Sequence, residues 1–120
     1  MAMITRRLTI ALMGFWLALF AAPQVVLAAN EHLEQAISET KKAIEYGEEP
    51  HHASSFIEHV ENAIGHAESA QKQEPSLHIE RGIKHLRSAK KIAYDTHSTR
   101  RLKAAAKHAK KALSEFEAVK

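Results

Sequence analysis

Phe56-Ile57-Glu58-His59-Val60-Glu61-Asn62-Ala63-Ile64-Gly65-His66-Ala67-Glu68-Ser69-Ala70 decides the fold of this chain. Its small and apolar residues, Phe56, Ile57, Val60, Ala63, Ile64, Ala67 and Ala70, recur at spacings of three and four, the period of a helix with one core-facing stripe. In a seven-residue register abcdefg they fill positions a, d and g. The same stripe recurs in three other segments: Leu33, Ala36, Ile37, Thr40, Ala43, Ile44; then Ile79, Gly82, Ile83, Leu86, Ala89, Ala93; then Leu102, Ala105, Ala106, Ala109, Ala112, Leu113, Phe116. All four are rich in Ala, Glu and Lys and contain no internal proline, which favours helix over strand.

Turn signals separate them: Gly47-Glu48-Glu49-Pro50, Lys72-Gln73-Glu74-Pro75 and Asp95-Thr96-His97-Ser98. Helices joined by such short connections pack as antiparallel neighbours. The expected fold is all-α, an up-down-up-down antiparallel four-helix bundle over residues 29–120, with Ile37, Ile44, Ile57, Val60, Ile64, Ile83, Leu86, Leu113 and Phe116 inward. Alanine fills many core positions, so the core is thin. The segments also align with one another, His59-Val60-Glu61-Asn62-Ala63-Ile64 on His108-Ala109-Lys110-Lys111-Ala112-Leu113, as a duplicated helix or helical pair would.

Ahead of the bundle, residues 1–28 read as a cleavable secretory signal. Arg6 and Arg7 precede an apolar run from Leu8 to Ala22, and Val26-Leu27-Ala28 supplies small residues for cleavage. The run is short for a membrane span, so no stable membrane association is expected after cleavage. Cleavage leaves 92 of the 120 residues, with 15 basic and 14 acidic side chains, and this near-neutral balance argues against a nucleic-acid partner. It also removes all three methionines and the single tryptophan, and the chain has no cysteine. Zinc sites built on cysteine, iron–sulfur clusters, c-type haem attachment and methionine-rich Cu(I) sites are therefore excluded. All nine histidines remain.

Seven of those nine fall on one lane, position c: His32 on the first helix, His52, His59 and His66 on the second, His78 and His85 on the third, and His108 on the fourth. Glu39, Tyr46, Ile92, Arg101 and Glu115 fill the other lane positions. Position c lies about 100° from the middle of an a/d/g stripe, so these side chains flank the core within reach of water. Lane neighbours are two turns apart, about 10.5 Å, too far to share one ion. Ligands must meet across helices. A reversal near residue 49 puts His32 level with His66, Glu39 with His59 and Tyr46 with His52; a reversal near 96 and 97 puts His78 level with Glu115 and His85 with His108. Alanine and glycine at the g positions beside the lane let these helix pairs close on that flank.

The candidate metal ligands are thus His32, His52, His59, His66, His78, His85, His108, Glu39 and Glu115. Nitrogen and carboxylate donors without sulfur suit divalent ions, Cu(II) first by the usual affinity order, with Ni(II) and Zn(II) possible. His51 and His97 lie in turns and add exposed, non-specific binding at most.

Other chemistries fit less well. A di-iron bundle needs Glu-x-x-His on facing helices, and the only matches, Glu48 to His51 and Glu49 to His52, fall at Pro50. No nucleophile–base constellation is present, so no enzyme is expected. The competing reading is a periplasmic helical interaction or stress-chaperone protein with pH-sensing histidines, which would need an exposed apolar groove. Tyr94 is the main exposed apolar side chain expected.

The stretches 43–52 (AIEYGEEPHH), 57–67 (IEHVENAIGHA), 82–86 (GIKHL) and 106–113 (AKHAKKAL), behind a secretory leader, resemble the small metal-binding protein family of the bacterial periplasm. The resemblance covers nearly all of residues 29–120. It implies a monomeric periplasmic four-helix protein that binds several divalent ions, copper especially, and buffers them. Glu39, Tyr46, Ile92, Arg101 and Glu115 stand where the repeat calls for more histidine, which implies reduced capacity.

Overall fold

The computed structural model describes residues 28–119; residues 1–27, which hold all but the last position of the expected signal, and Lys120 lie outside the described residues. Among the described residues there are four helices and no strand: α1 over 28–47, α2 Ala53–Gln73, α3 Leu77–Ala93 and α4 Thr99–Glu117. No described helix is long and apolar enough to cross a membrane.

The helix ends follow the turn chemistry of the sequence. Ser76 caps α3, its hydroxyl accepting from the His78 N–H at 3.2 Å, and Ser98 caps α4 through the Arg101 N–H at 3.3 Å. Lys90 and Lys91 lie in the last turn of α3, where cations complement the helix dipole. Two turns also use left-handed backbone, at His51 (φ 69°) and Asp95 (φ 52°), residue types that tolerate it better than most.

The core is a seam of alanines closed at two places by phenylalanine. Ala36, Ala43, Ala63, Ala89, Ala105 and Ala112 are completely buried, and Phe56, Phe116, Leu86 and Val60 are the largest of the fully buried side chains. Thr40 is buried among them, its hydroxyl donating to the Ala36 carbonyl at 2.7 Å within its own helix. Burial centres on the d and g positions. Ile37, Val60, Ile83, Leu86 and Phe116 point inward as expected, whereas Ile44, Ile57, Ile64 and Leu113 are only partly buried and pack along the edge of the core. The physical reason is side-chain size. Backbones approach most closely where g is Ala or Gly, so the larger a-position residues move to the flank. That rotation brings position c from about 100° to about 70° from the centre of burial, by the 100° step between residues.

Two glycines make the close approach possible. A Cβ at Gly82 would run into the ring of buried Phe116, and one at Gly47 would sit 2.7 Å from the Ala106 Cβ and 3.1 Å from the Phe56 ring. Gly65, by contrast, faces open space. Gly82→Ala is therefore expected to destabilise the protein by about 1–3 kcal/mol through overpacking. Gly65→Ala, on the same type of helix, should stabilise it by about 0.5–1 kcal/mol. Denaturant unfolding followed by circular dichroism checks both; a neutral Gly82→Ala would show that the Phe116 notch is not tight.

Candidate metal-binding grooves

Two grooves carry the histidines, one between α1 and α2 and one between α3 and α4. In the first, His32 Nδ1 and His66 Nδ1 are 3.4 Å apart with ring centroids at 5.7 Å. One heptad along, the His59 Nδ1 donates to Glu39 Oε2 at 2.6 Å. Beyond it the Tyr46 ring stacks on His59 (5.3 Å, 4° between planes) and tilts against His52 at 5.6 Å. In the second groove the His78 Nδ1 donates to Glu115 Oε2 at 2.8 Å, and the His85 and His108 rings lie 6.1 Å apart. All five level pairs expected from the turn positions are in contact. Every one of these side chains is half-buried rather than lost in the core.

The charged e positions occupy the other two interfaces. Arg87 reaches Glu68 at 2.7 Å and Lys90 reaches Glu61 at 3.1 Å between α3 and α2; Lys110 reaches Glu48 at 2.6 Å, joining α4 to the turn after α1. These are exposed pairs, worth no more than about 1 kcal/mol each. Their consequence is positional: interfaces alternate, imidazole on one flank of each helix and ion pairs on the other.

Local electrostatics differ from rung to rung. Partial burial works to raise the Glu39 carboxyl, but the hydrogen bond from His59, the Lys42 ammonium 3.7 Å away and a bond from Asn62 together hold it below the ordinary carboxylate value. The hydrogen bond from His78, with the nearby charges of His78, Arg81 and His85, holds Glu115 low against a smaller desolvation penalty. Burial, then the charges of Lys111 and His85, push the His108 imidazole below its ordinary value. His108 Nδ1 is buried with no hydrogen-bond partner, a buried polar atom without its complement.

The donor geometry suits ions held by two protein ligands. Two nitrogens on one tetrahedral ion at about 2.0–2.1 Å lie about 3.3 Å apart, and the His32–His66 separation matches that. The His–carboxylate rungs are at hydrogen-bond distance, 2.6 and 2.8 Å, and a tetrahedral ion replacing the shared proton would spread them by about 0.5–0.7 Å. Among the described residues no three His, Cys, Asp or Glu side chains converge as an ion site. His52 has no imidazole opposite it; its Nε2 lies 3.4 Å from Glu49 Oε2. Tyr46, Ile92 and Arg101 bring no ligand pair at their level.

Three features escaped the sequence reading. Glu49 sits beside His52, a contact whose only signal was the three-residue spacing. Tyr46 stacks on His59 as well as meeting its level partner His52. The turn histidines His51 and His97, expected to add exposed, non-specific binding, line one cleft of about 330 Å³ together with Asp95.

Paired imidazoles and carboxylates along two grooves of a four-helix protein are the donor set of a cation-binding protein. The family model described as small metal-binding protein matches residues 5–119, and the chain belongs to that family. Membership carries metal binding in general, including divalent ions, and the family is not one known for enzymes. No curated protein matches the sequence.

Acid titration of the metal-free protein tests these environments. His108 has a depressed folded pKa, so on acidification below about 6.5 the unfolded chain takes up a proton that the folded chain refuses, and stability falls. Glu39 and Glu115 are also depressed; their contribution is complete above about 4.3 and is lost as pH drops through the folded values. The melting temperature is expected to fall in two stages between pH 8 and pH 3. His108→Gln should shrink the upper stage and Glu39→Gln the lower one; an unchanged upper stage in His108→Gln would contradict the assignment.

Proposed function

We propose that this protein binds and buffers divalent transition-metal ions in the periplasm, Cu(II) by preference and Ni(II) or Zn(II) besides, and that it binds rather than transforms them. The observation that carries this reading is the 3.4 Å approach of His32 Nδ1 to His66 Nδ1 across two helices. Each rung supplies two ligands and water completes the coordination. His32 with His66 and His85 with His108 give nitrogen pairs; Glu39 with His59 and His78 with Glu115 give mixed nitrogen–oxygen pairs. His52, with Glu49 beside it, adds a weaker exposed position. Such partial sites suit a buffer, which must release what it takes up. We read the connectivity as up-down-up-down, since early residues of α1 meet late residues of α2 and the same holds for α3 and α4. The periplasmic location rests on the leader pattern in residues 1–28, and the monomeric state on the family resemblance.

The interaction-protein reading finds less support. It needs a contiguous apolar groove, and the exposed large hydrophobics among the described residues are Leu77 and Tyr94, at opposite ends of α3.

The experiment is a mutant cycle on the mature chain. Immobilised Ni(II) is expected to retain the untagged protein at pH 7 and release it as pH falls to about 5, because a metal-bound imidazole must be neutral. By calorimetry with Cu(II), His85→Ala and His108→Ala should each weaken the same site at least tenfold, with the double variant losing little more than either single one. Additive losses would show independent single-ligand sites and overturn the paired-rung reading.

A further inference from the structure

The two helical hairpins carry opposite charge. Residues 29–74, which contain α1 and α2, hold ten acidic side chains and three lysines, a formal net of −7. Residues 75–120, which contain α3 and α4, hold four acids and twelve lysines and arginines, a formal net of +8. The near-neutral total hides this division. It reaches the grooves themselves. On α3 and α4 every charged residue at the outer b and f positions is basic, and Arg81 and Lys111 stand close enough to act on Glu115 and His108. The lane also ends in a cation, exposed Arg101. Beside the α1–α2 groove the corresponding b and f positions hold Glu31, Glu45, Glu49 and Glu58 against two cations, Lys42 and Lys72, of which Lys42 lies 3.7 Å from Glu39.

We infer that the two grooves are unequal cation sites: the α1–α2 groove takes divalent ions first and holds them tightly, while the α3–α4 groove, set in a field of fixed positive charge, is a weak, late-filling site. This rests on the metal-binding reading of both grooves and adds a rank to it. The paired rungs are alike, a nitrogen pair and a nitrogen–carboxylate pair in each groove, with only the exposed His52 beside Glu49 in addition on the α1–α2 side, so chemistry of ligation in the rungs does not separate them. What separates them is the long-range term. A dication about 8 Å from one fixed charge in water gains or loses a factor of about five in affinity at low salt. Several such charges act on each groove, with a net negative sign in the first hairpin and a net positive sign in the second.

The inference has a signature that ligand strength alone cannot produce. Attraction and repulsion are both screened as the Debye length shrinks from about 30 Å at 0.01 M salt to about 3 Å at 1 M. Added salt therefore weakens binding in the acidic hairpin and strengthens it in the basic one.

The test uses Ni(II) as the titrant and the mature chain in two double variants. His85→Ala with His108→Ala leaves the α1–α2 groove intact; His59→Ala with His66→Ala leaves the α3–α4 groove intact. Calorimetry at about 0.02 M and 0.5 M of a non-coordinating sodium salt is expected to show the first variant binding at least tenfold tighter at low salt and losing affinity as salt rises. The second variant should gain affinity over the same range. Arg81→Gln with Lys111→Gln in the second background should raise its low-salt affinity about fivefold or more and flatten its salt dependence. Equal affinities, or the same direction of salt response in both grooves, would overturn the ranking while leaving metal binding in place. Absence of Ni(II) heat in both variants and in the parent chain would instead refute the metal-binding reading of the grooves, and the ranking with it. Circular dichroism at both salt concentrations verifies that each variant is folded.

Discussion

How closely the backbones approach along the alanine and glycine seam governs the rest of this protein. With Ala36, Ala43, Ala63, Ala89, Ala105 and Ala112 completely buried, the helices meet through methyl groups, and the space left for larger side chains is confined to notches such as the one where Gly82 receives Phe116. Because g lies beside c, the flank that closes most tightly is the flank that carries the imidazoles. A leucine-filled seam would hold the helices farther apart. The His32–His66 and Glu39–His59 contacts would then be out of reach. The small-residue core, poor in buried area and so a weak source of stability, is what brings donor atoms on different helices within a bond length or two of a common point.

The alternation of interfaces follows from the same geometry. Each helix has two flanks beside its buried stripe. One flank carries c, with histidine and glutamate partners, and the other carries e, with Glu61, Glu68, Arg87 and Lys110. From position f a cation reaches the lane in both hairpins, Lys42 at Glu39 in the first and Arg81 and Lys111 at Glu115 and His108 in the second; the surrounding charge is acidic in the first and basic in the second. A single parameter, the angular position of a residue relative to the seam, thus decides whether it packs, ligates, pairs or repels.

Much of this was legible in the chain. Proline, glycine and serine fixed the turns, which fall at 48–52, 74–76 and 94–98, close to the expected breaks. Reflecting one segment on the next about those turns found the level pairs, because a seven-residue spacing leaves little freedom in register. Burial was less legible. Period alone treats a, d and g as equivalent, and only the relative sizes of Ile44, Ile57 and Ile64 against Ala36, Ala43 and Ala63 show which way each helix rotates. The Nδ1 of His108, buried without a partner, and the stacking of Tyr46 on His59 depend on rotamers that spacing does not encode. The opposed charges of the two hairpins were present in the sequence, but a whole-chain net charge averages them away.

The lane side chains are half-buried and lie outside the d/g seam that holds the bundle together. A ring there packs against the edge of the core or bonds to its level partner, so its gain or loss costs less than a cavity in the seam itself. Tyr46, Ile92 and Arg101 occupy such places already, and the bundle accommodates an aromatic, an aliphatic and a cation at one and the same kind of position. Ligand number and fold stability are therefore set largely by different positions. A lineage carrying this scaffold can raise or lower its holding capacity one codon at a time, without passing through an unfolded intermediate.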